Sequence, residues 1–424
     1  MKCSAGQNSE QRLAIRKDVL ASLGATSKEA EELLRYNENR FDETAIDASK
    51  FPLPDEGFLA TWRQYASETE QAGSILPLTK YLVQLQFPIQ SAISETPDYI
   101  AATRQGLPTD GIKLAAGISL REPQCGQLLV HPTAAGNIPL LIAGNREDFV
   151  ALVQALRYRN EPHPIPDSMG ACMVAGYNNW HRISVLRNRF EASASANDSW
   201  PAEFQRIKAQ KDLYQDRFII LSTGPYSAVN AFDIGLDYEE WLNLSMAIRR
   251  EHECTHYFTR RVFSSMRNNL LDELIADYMG ITAALGKFRA DWLLRFFGLE
   301  LFPQFRQSGR LYNYRGAPPL SDSAFALLQK LVVAAAANLE TFDHRYLSEF
   351  QQAQCRPALL RILTRLTVEE MASGDAIEIL GNTFASAVKD MDASDATDVR
   401  SAKGSPAALA PQSPTTYQRR PYVR

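Results

Sequence analysis

The sequence predicts an α+β protein that is predominantly helical, and three observations carry this. Apolar residues recur at three and four spacing through most of the chain, and short apolar runs bounded by Gly, Pro and Asn are confined to its middle. With 45% hydrophobic residues among 424, the chain can bury a substantial core. The pattern divides into a helical N-terminal region (1–110), a small mixed α/β region (111–236), a helical region that carries the chemistry (237–390) and a disordered tail (391–424).

Helical spacing is expected at residues 10–23, 27–36 and 58–72. Residues 126–131 and 138–143 read as strands, followed by a helix at 147–159. Three alternating prolines at Pro162, Pro164 and Pro166 fix φ and remove backbone donors, so 161–167 is a rigid loop. A strand at 218–222 follows a polar helix, and Gly224-Pro225 breaks it before a long helix over 238–263. Beyond a turn at 264–269, helices are expected at 270–285, 321–339, 357–366 and 368–387. After Met391 scarcely a large apolar residue occurs, although Arg419, Arg420 and Arg424 give the tail a basic end that either contacts a partner or is simply solvated.

A formal charge of −4 argues against nucleic acid as a partner, because phosphates reward basic stripes. The N-terminus lacks the apolar stretch of a signal peptide and no 18-residue apolar run follows, so a soluble cytoplasmic protein without a membrane partner is expected. Its five cysteines are scattered and form no CxxC pair, which makes disulfides and a thiolate metal cluster poor expectations.

The chemistry centres on His252-Glu253-Cys254-Thr255-His256, an HExxH match inside a helical pattern. Residues four apart on a helix are separated by only ~40° around its axis, so both imidazoles face one point. Glu253 is offset enough not to ligate, yet close enough to take a proton from a metal-bound water as general base. On the next expected helix Glu273 and Asp277 lie four apart on one face. Zinc requires a third protein ligand and an open position; Glu273 can supply the carboxylate, and Asp277 can accept the proton from the far nitrogen of a ligand histidine. The bland alternatives are two histidines that merely pack and a solvated acidic face.

Together these residues resemble the gluzincin metallopeptidases, the thermolysin-like group in which HExxH is followed on a second helix by ExxxD. Glu273 lies 17 residues after His256, and Tyr278-Met279-Gly280 also suits that second helix. The likeness covers about 30 residues and implies a zincin-like catalytic region. His252, His256 and Glu273 would hold one Zn2+, Glu253 would be the base and Asp277 the partner of His252. It further implies that the strand at 218–222 is an edge strand that receives an extended substrate, with plain core strand as the alternative.

Such chemistry needs a donor for the developing oxyanion, for which Tyr312, Tyr314 and His344 are candidates, each with packing or surface exposure as the alternative. Arg310 and Arg315 either clamp a substrate carboxylate or are solvated. His131, His163 and His181 read as structural, and Cys254 as a packing residue. The expected activity is hydrolysis of a peptide or small amide; the alternatives are a specialised small-molecule hydrolase and an inactive zinc-site scaffold that binds.

Overall fold

The computed structural model describes residues 2–47, 50–194, 198–265, 268–347 and 352–387. The tail at 391–424, with Arg419, Arg420 and Arg424, lies outside the described residues, as do residues 266 and 267 of the expected turn. The architecture is α+β and predominantly helical.

The chain opens with α1 (Lys2–Ser22), α2 (Ser27–Tyr36), α3 (Glu43–Asp47), α4 (Leu59–Ala72) and α5 (Pro97–Gln105). Thr26 starts α2 through a capping box, its hydroxyl accepting from the Glu29 N–H while the Glu29 carboxylate accepts from the Thr26 N–H at 2.8 Å. The middle of the chain holds β1 (Gln127–His131), β2 (Ile138–Ile142), α6 (Arg146–Leu156), β3 (Ala171–Asn178), α7 (Trp180–Ser193), α8 (Trp200–Ala209) and β4 (Gln215–Leu221). The last part holds α9 (Ala231–Ile234), α10 (Tyr238–Phe263), α11 (Asn269–Leu285), α12 (Ala290–Phe297), α13 (Asp322–Tyr346), α14 (Gln352–Leu363) and α15 (Val368–Met371). The single helix expected over 368–387 is interrupted at 372–375, where Ser373, Gly374 and Asp375 form a turn before helix resumes at 376.

One sheet carries the strands in the order β1-β2-β4-β3. The β1–β2 and β3–β4 pairs are antiparallel and β2–β4 is parallel. The expected edge position of 218–222 is therefore corrected: β4 is interior, and Phe218, Ile219, Ile220 and Leu221 have no exposed surface. Phe218 and Ile220 pack with α4 and α6, whereas Ile219 and Leu221 pack into the helical body. Burial on both faces explains the unbroken apolar run. The sheet edges are β1 and β3, and the alternation of β3 is broken by a bulge between Ala175 and Tyr177 and by Gly176 at φ 77°.

Leu20, Leu33, Tyr36, Phe41 and Ile46 join the same core as α10, α11 and α13, so residues 2–47 belong to the helical body while α4 covers the sheet. Ion pairs from Arg12 to Glu370 (2.5 Å) and Arg16 to Glu369 (3.3 Å) tie α1 to α15. α10 packs along α11 at close range; a Cβ on Gly280 would stand 2.8 Å from the Ile248 carbonyl oxygen. α13 qualifies the expectation of no long apolar run, since 18 of its residues average a hydropathy of 1.3, enough by length and composition to cross a membrane. Half of that window is buried inside the protein, with Leu328, Leu331, Val332 and Ala335 in the core.

Candidate metal centre

α10 is capped by Asp237, whose side chain accepts from the Glu240 N–H, and runs unbroken through the HExxH segment. His252 and His256 therefore project together, and α11 brings Glu273 to meet them. The two Nε2 atoms are 3.1 Å apart, and the Glu273 oxygens stand 3.5 Å from each. Ligand atoms bound tetrahedrally to an ion at ~2.0–2.1 Å lie ~3.3–3.4 Å from one another. The three groups thus fit a metal ion of that size, and His252, His256 and Glu273 could hold one.

Asp277 fixes the orientation of His252. Its carboxylate, with no exposed surface, accepts from His252 Nδ1 at 2.9 Å and from the Tyr226 hydroxyl at 2.6 Å, and pairs with the Arg310 guanidinium. Protonation at Nδ1 leaves the Nε2 lone pair free to ligate. Burial would raise the Asp277 carboxyl, but Arg310 and His252 outweigh it and keep it below its ordinary range. Burial acts the same way on Glu273 and is outweighed by His256, His252 and Arg310, so Glu273 is held ionised. His256 has a looser outer partner: its Nδ1 is 3.6 Å from Asp272, whose carboxylate also accepts from the Thr259 hydroxyl at 3.1 Å.

These groups open into a cleft of about 600 Å³ lined also by Glu253, Arg249, Arg310, Tyr314 and the strand residues Ala171 to Met173. Glu253 is half-buried in its wall, next in sequence to His252. The edge strand beside the site is thus β3. Arg249 donates to the carbonyls of Ser222 (2.7 Å), Gly224 (2.9 Å) and Pro225 (3.0 Å), which fixes the loop bearing Tyr226. Just beyond, Ser227 and Ala228 hold positive φ (55° and 54°), a strained backbone of the sort that gathers at functional sites.

Of the remaining candidates, Tyr314 lines the cleft, but its hydroxyl donates to Glu273 at 2.8 Å, so it braces that carboxylate. His344 is corrected: it is exposed on α13 and absent from the cleft lining, while its neighbour Asp343 accepts from the Tyr278 hydroxyl at 3.0 Å. Helical spacing placed His344 on the solvent face of α13. Tyr312 is 48% exposed outside the cleft, and Arg315 pairs with Asp322 at 2.7 Å. Arg310 is neither solvated nor a free clamp, being committed to Asp277 and donating to Tyr226 Oη at 2.9 Å.

His163 stacks on Tyr158 and His181 meets the Tyr65 hydroxyl at 2.7 Å, both structural roles. His131, with Glu251 and Cys254, forms a second group close enough to hold a cation. Its carboxylate is already met by His131 (3.0 Å), Arg250 (3.0 Å) and Arg356, so a metal there would have to displace positive charge. Burial pushes the Cys254 thiol well above its ordinary value, in keeping with a packing role. Cys125, Cys172 and Cys254 are free.

Sequence reasoning missed Tyr226, Arg249 and the ion pair made by Arg310. The signal for Arg249 was its place four residues before Glu253 on the motif face; Tyr226 carried none beyond following Gly224-Pro225. No curated protein and no solved structure matches the chain. A family profile does match residues 18–375, spanning every residue of the site, and the chain belongs to that family, the family of unknown function DUF7005.

Proposed function

We propose that this protein is a zinc-dependent hydrolase of the gluzincin type, acting on a peptide or amide bond through Glu253. The observation that carries the proposal is the convergence of two Nε2 atoms and one carboxylate at tetrahedral-edge separations, with Asp277 on the far nitrogen of His252. An imidazole, imidazole and carboxylate set with an open position suits catalytic zinc. Bound there, zinc supplies Lewis acidity to a carbonyl and lowers the pKa of its water.

The chain's own residues have separate duties. Glu253 takes a proton from the attacking water and returns it to the departing nitrogen. Tyr314 and Asp277 hold Glu273 and His252 against rotation. The outer edge of β3 offers unpaired backbone groups along which an extended peptide could lie as a further strand.

The test pairs metal content with turnover. Elemental analysis of purified protein is expected to give one zinc per chain, lost in His252→Ala and Glu273→Ala. Glu253→Gln is expected to keep zinc and to lose hydrolysis of a mixed peptide library. Absence of zinc from the wild type would defeat the proposal, and zinc without turnover on any peptide would support the inactive scaffold instead.

A further inference from the structure

The two edges of the sheet are built differently. β3 is interrupted by its bulge and by Gly176, devices that blunt an edge, and it lines the cleft. β1 has neither. Its register with β2 is unbroken from Gln127 to His131, and the run Gln-Leu-Leu-Val-His contains no carboxylate, Lys, Arg, Gly or Pro. The backbone groups of β1 that face away from β2 have no backbone partner among the described residues, and Leu129 and Val130 are only half-buried. A regular apolar edge of this kind is a template for another strand.

α4 lies over β1 and runs antiparallel to it. At one end the Ile75 N–H donates to the Pro123 carbonyl at 3.0 Å, and at the other Asp55 accepts from the Asn137 N–H at 3.0 Å. A cleft of about 660 Å³ opens between α4 and the outer edge of β1, lined by Arg63, Ala66, Ser67 and Glu70 from the helix and by Gln127 and Leu129 from the strand. The four helix residues share one face, with small side chains at the centre and opposite charges two turns apart. Glu70 is exposed and its carboxylate has no partner among the described residues. Arg63 is 53% exposed and holds Asp55 through Nη2 alone, so its other donors are unspent.

Both elements are complementary to themselves about one axis. If β1 is laid antiparallel on a second β1 about Leu129, Leu128 meets Val130 and Gln127 meets His131, apolar on apolar and polar on polar. If α4 is turned about the midpoint of Ala66 and Ser67, Arg63 of each copy comes level with the partner's Glu70. The two centres coincide along the strand. Gly126 abuts Ile75, where a Cβ would stand 2.8 Å from Cδ1; from that level the helix midpoint is ~13 Å away and Leu129 ~10 Å away.

We infer that β1 and α4 form a two-fold interface with a second copy of this chain, joining two four-stranded sheets edge to edge into one. Self-complementarity about a single axis is what selects a second copy over an unrelated strand. The dimer leaves both β3 edges outermost, so neither metal centre is obstructed, and the interface does not depend on the metal reading.

Sedimentation velocity of the full chain from ~1 to ~100 µM tests the inference, with a species of twice the 47.4 kDa of one chain expected at the upper end. Glu70→Arg and Arg63→Glu each set like charges against one another twice across the axis and are expected to weaken association about tenfold. An equimolar mixture of the two variants restores opposite charges at both positions and is expected to associate as the wild type does. Ser67→Lys, which places two ammonium groups at the axis, is expected to be monomeric with an unchanged Tm. Hydrogen exchange then reads the strand directly: the amides of 127–131 that face away from β2 are expected to exchange at least tenfold more slowly in the wild-type dimer than in Ser67→Lys.

A wild type that remains monomeric would overturn the inference and leave the edge to a strand from a different protein. A dimer that survives Ser67→Lys, a mixture that fails to associate, or equal exchange of the β1 amides in both proteins would overturn it as well.

Discussion

Asp277→Asn is the substitution that probes the centre most sharply, because the side chain keeps its shape and loses only its charge. The native carboxylate has no exposed surface and takes three donors, from His252 (2.9 Å), Tyr226 (2.6 Å) and Arg310. An amide can still accept from His252 and Tyr226, but it leaves the Arg310 guanidinium, only 14% exposed, without a counter-charge. Breaking a buried ion pair costs about 3–5 kcal/mol, and the low end applies because Arg310 keeps its bond to Tyr226. Metal affinity should fall ~10 to 100-fold, equivalent to ~1.4–2.8 kcal/mol, since a neutral partner neither fixes the His252 tautomer as firmly nor raises the basicity of Nε2. Urea unfolding of the metal-free protein measures the first effect and chelator competition the second. Trp62→Phe serves as control, because it removes a 2.8 Å bond to Asp216 on the far side of the sheet and should lower stability alone. Equal zinc affinities for wild type and Asp277→Asn would refute the assignment of Asp277 as the partner that orients His252.

Three further substitutions follow from the same geometry. Tyr226→Phe removes the hydroxyl lying between Arg310 and Asp277, and zinc affinity in the chelator titration is expected to drop about tenfold with the fold retained; an unchanged affinity would make Tyr226 a packing residue. Arg249→Met strands three buried carbonyls and is expected to cost about 2–3 kcal/mol in urea unfolding, with no loss showing that the loop at 222–225 holds itself. Gly280→Ala drives a methyl group against the Ile248 carbonyl, so α10 and α11 must separate; a loss of about 1–3 kcal/mol is expected, read as a lowered Tm, and a raised Tm would contradict the close approach.

What the sequence determined by itself is what local periodicity and local capping control. The HExxH face of α10, the ExxxD face of α11 and the capped start of α2 at Thr26 each depend on residues within a turn or two of one another, so spacing alone locates them. The tertiary structure decided everything that depends on a partner far along the chain. β4 became an interior strand because β3 and β2 pair with it on either side, and the composition of 218–222 suits a buried edge and a buried centre equally well. Arg310 and Tyr226 reached Asp277 from 33 and 51 residues away, because a buried carboxylate is stable as an ion only when opposite charge and donors are folded around it. His344, with the right chemistry, faces solvent on α13 because the apolar stripe of that helix, through Leu328, Leu331 and Val332, turned the other way into the core.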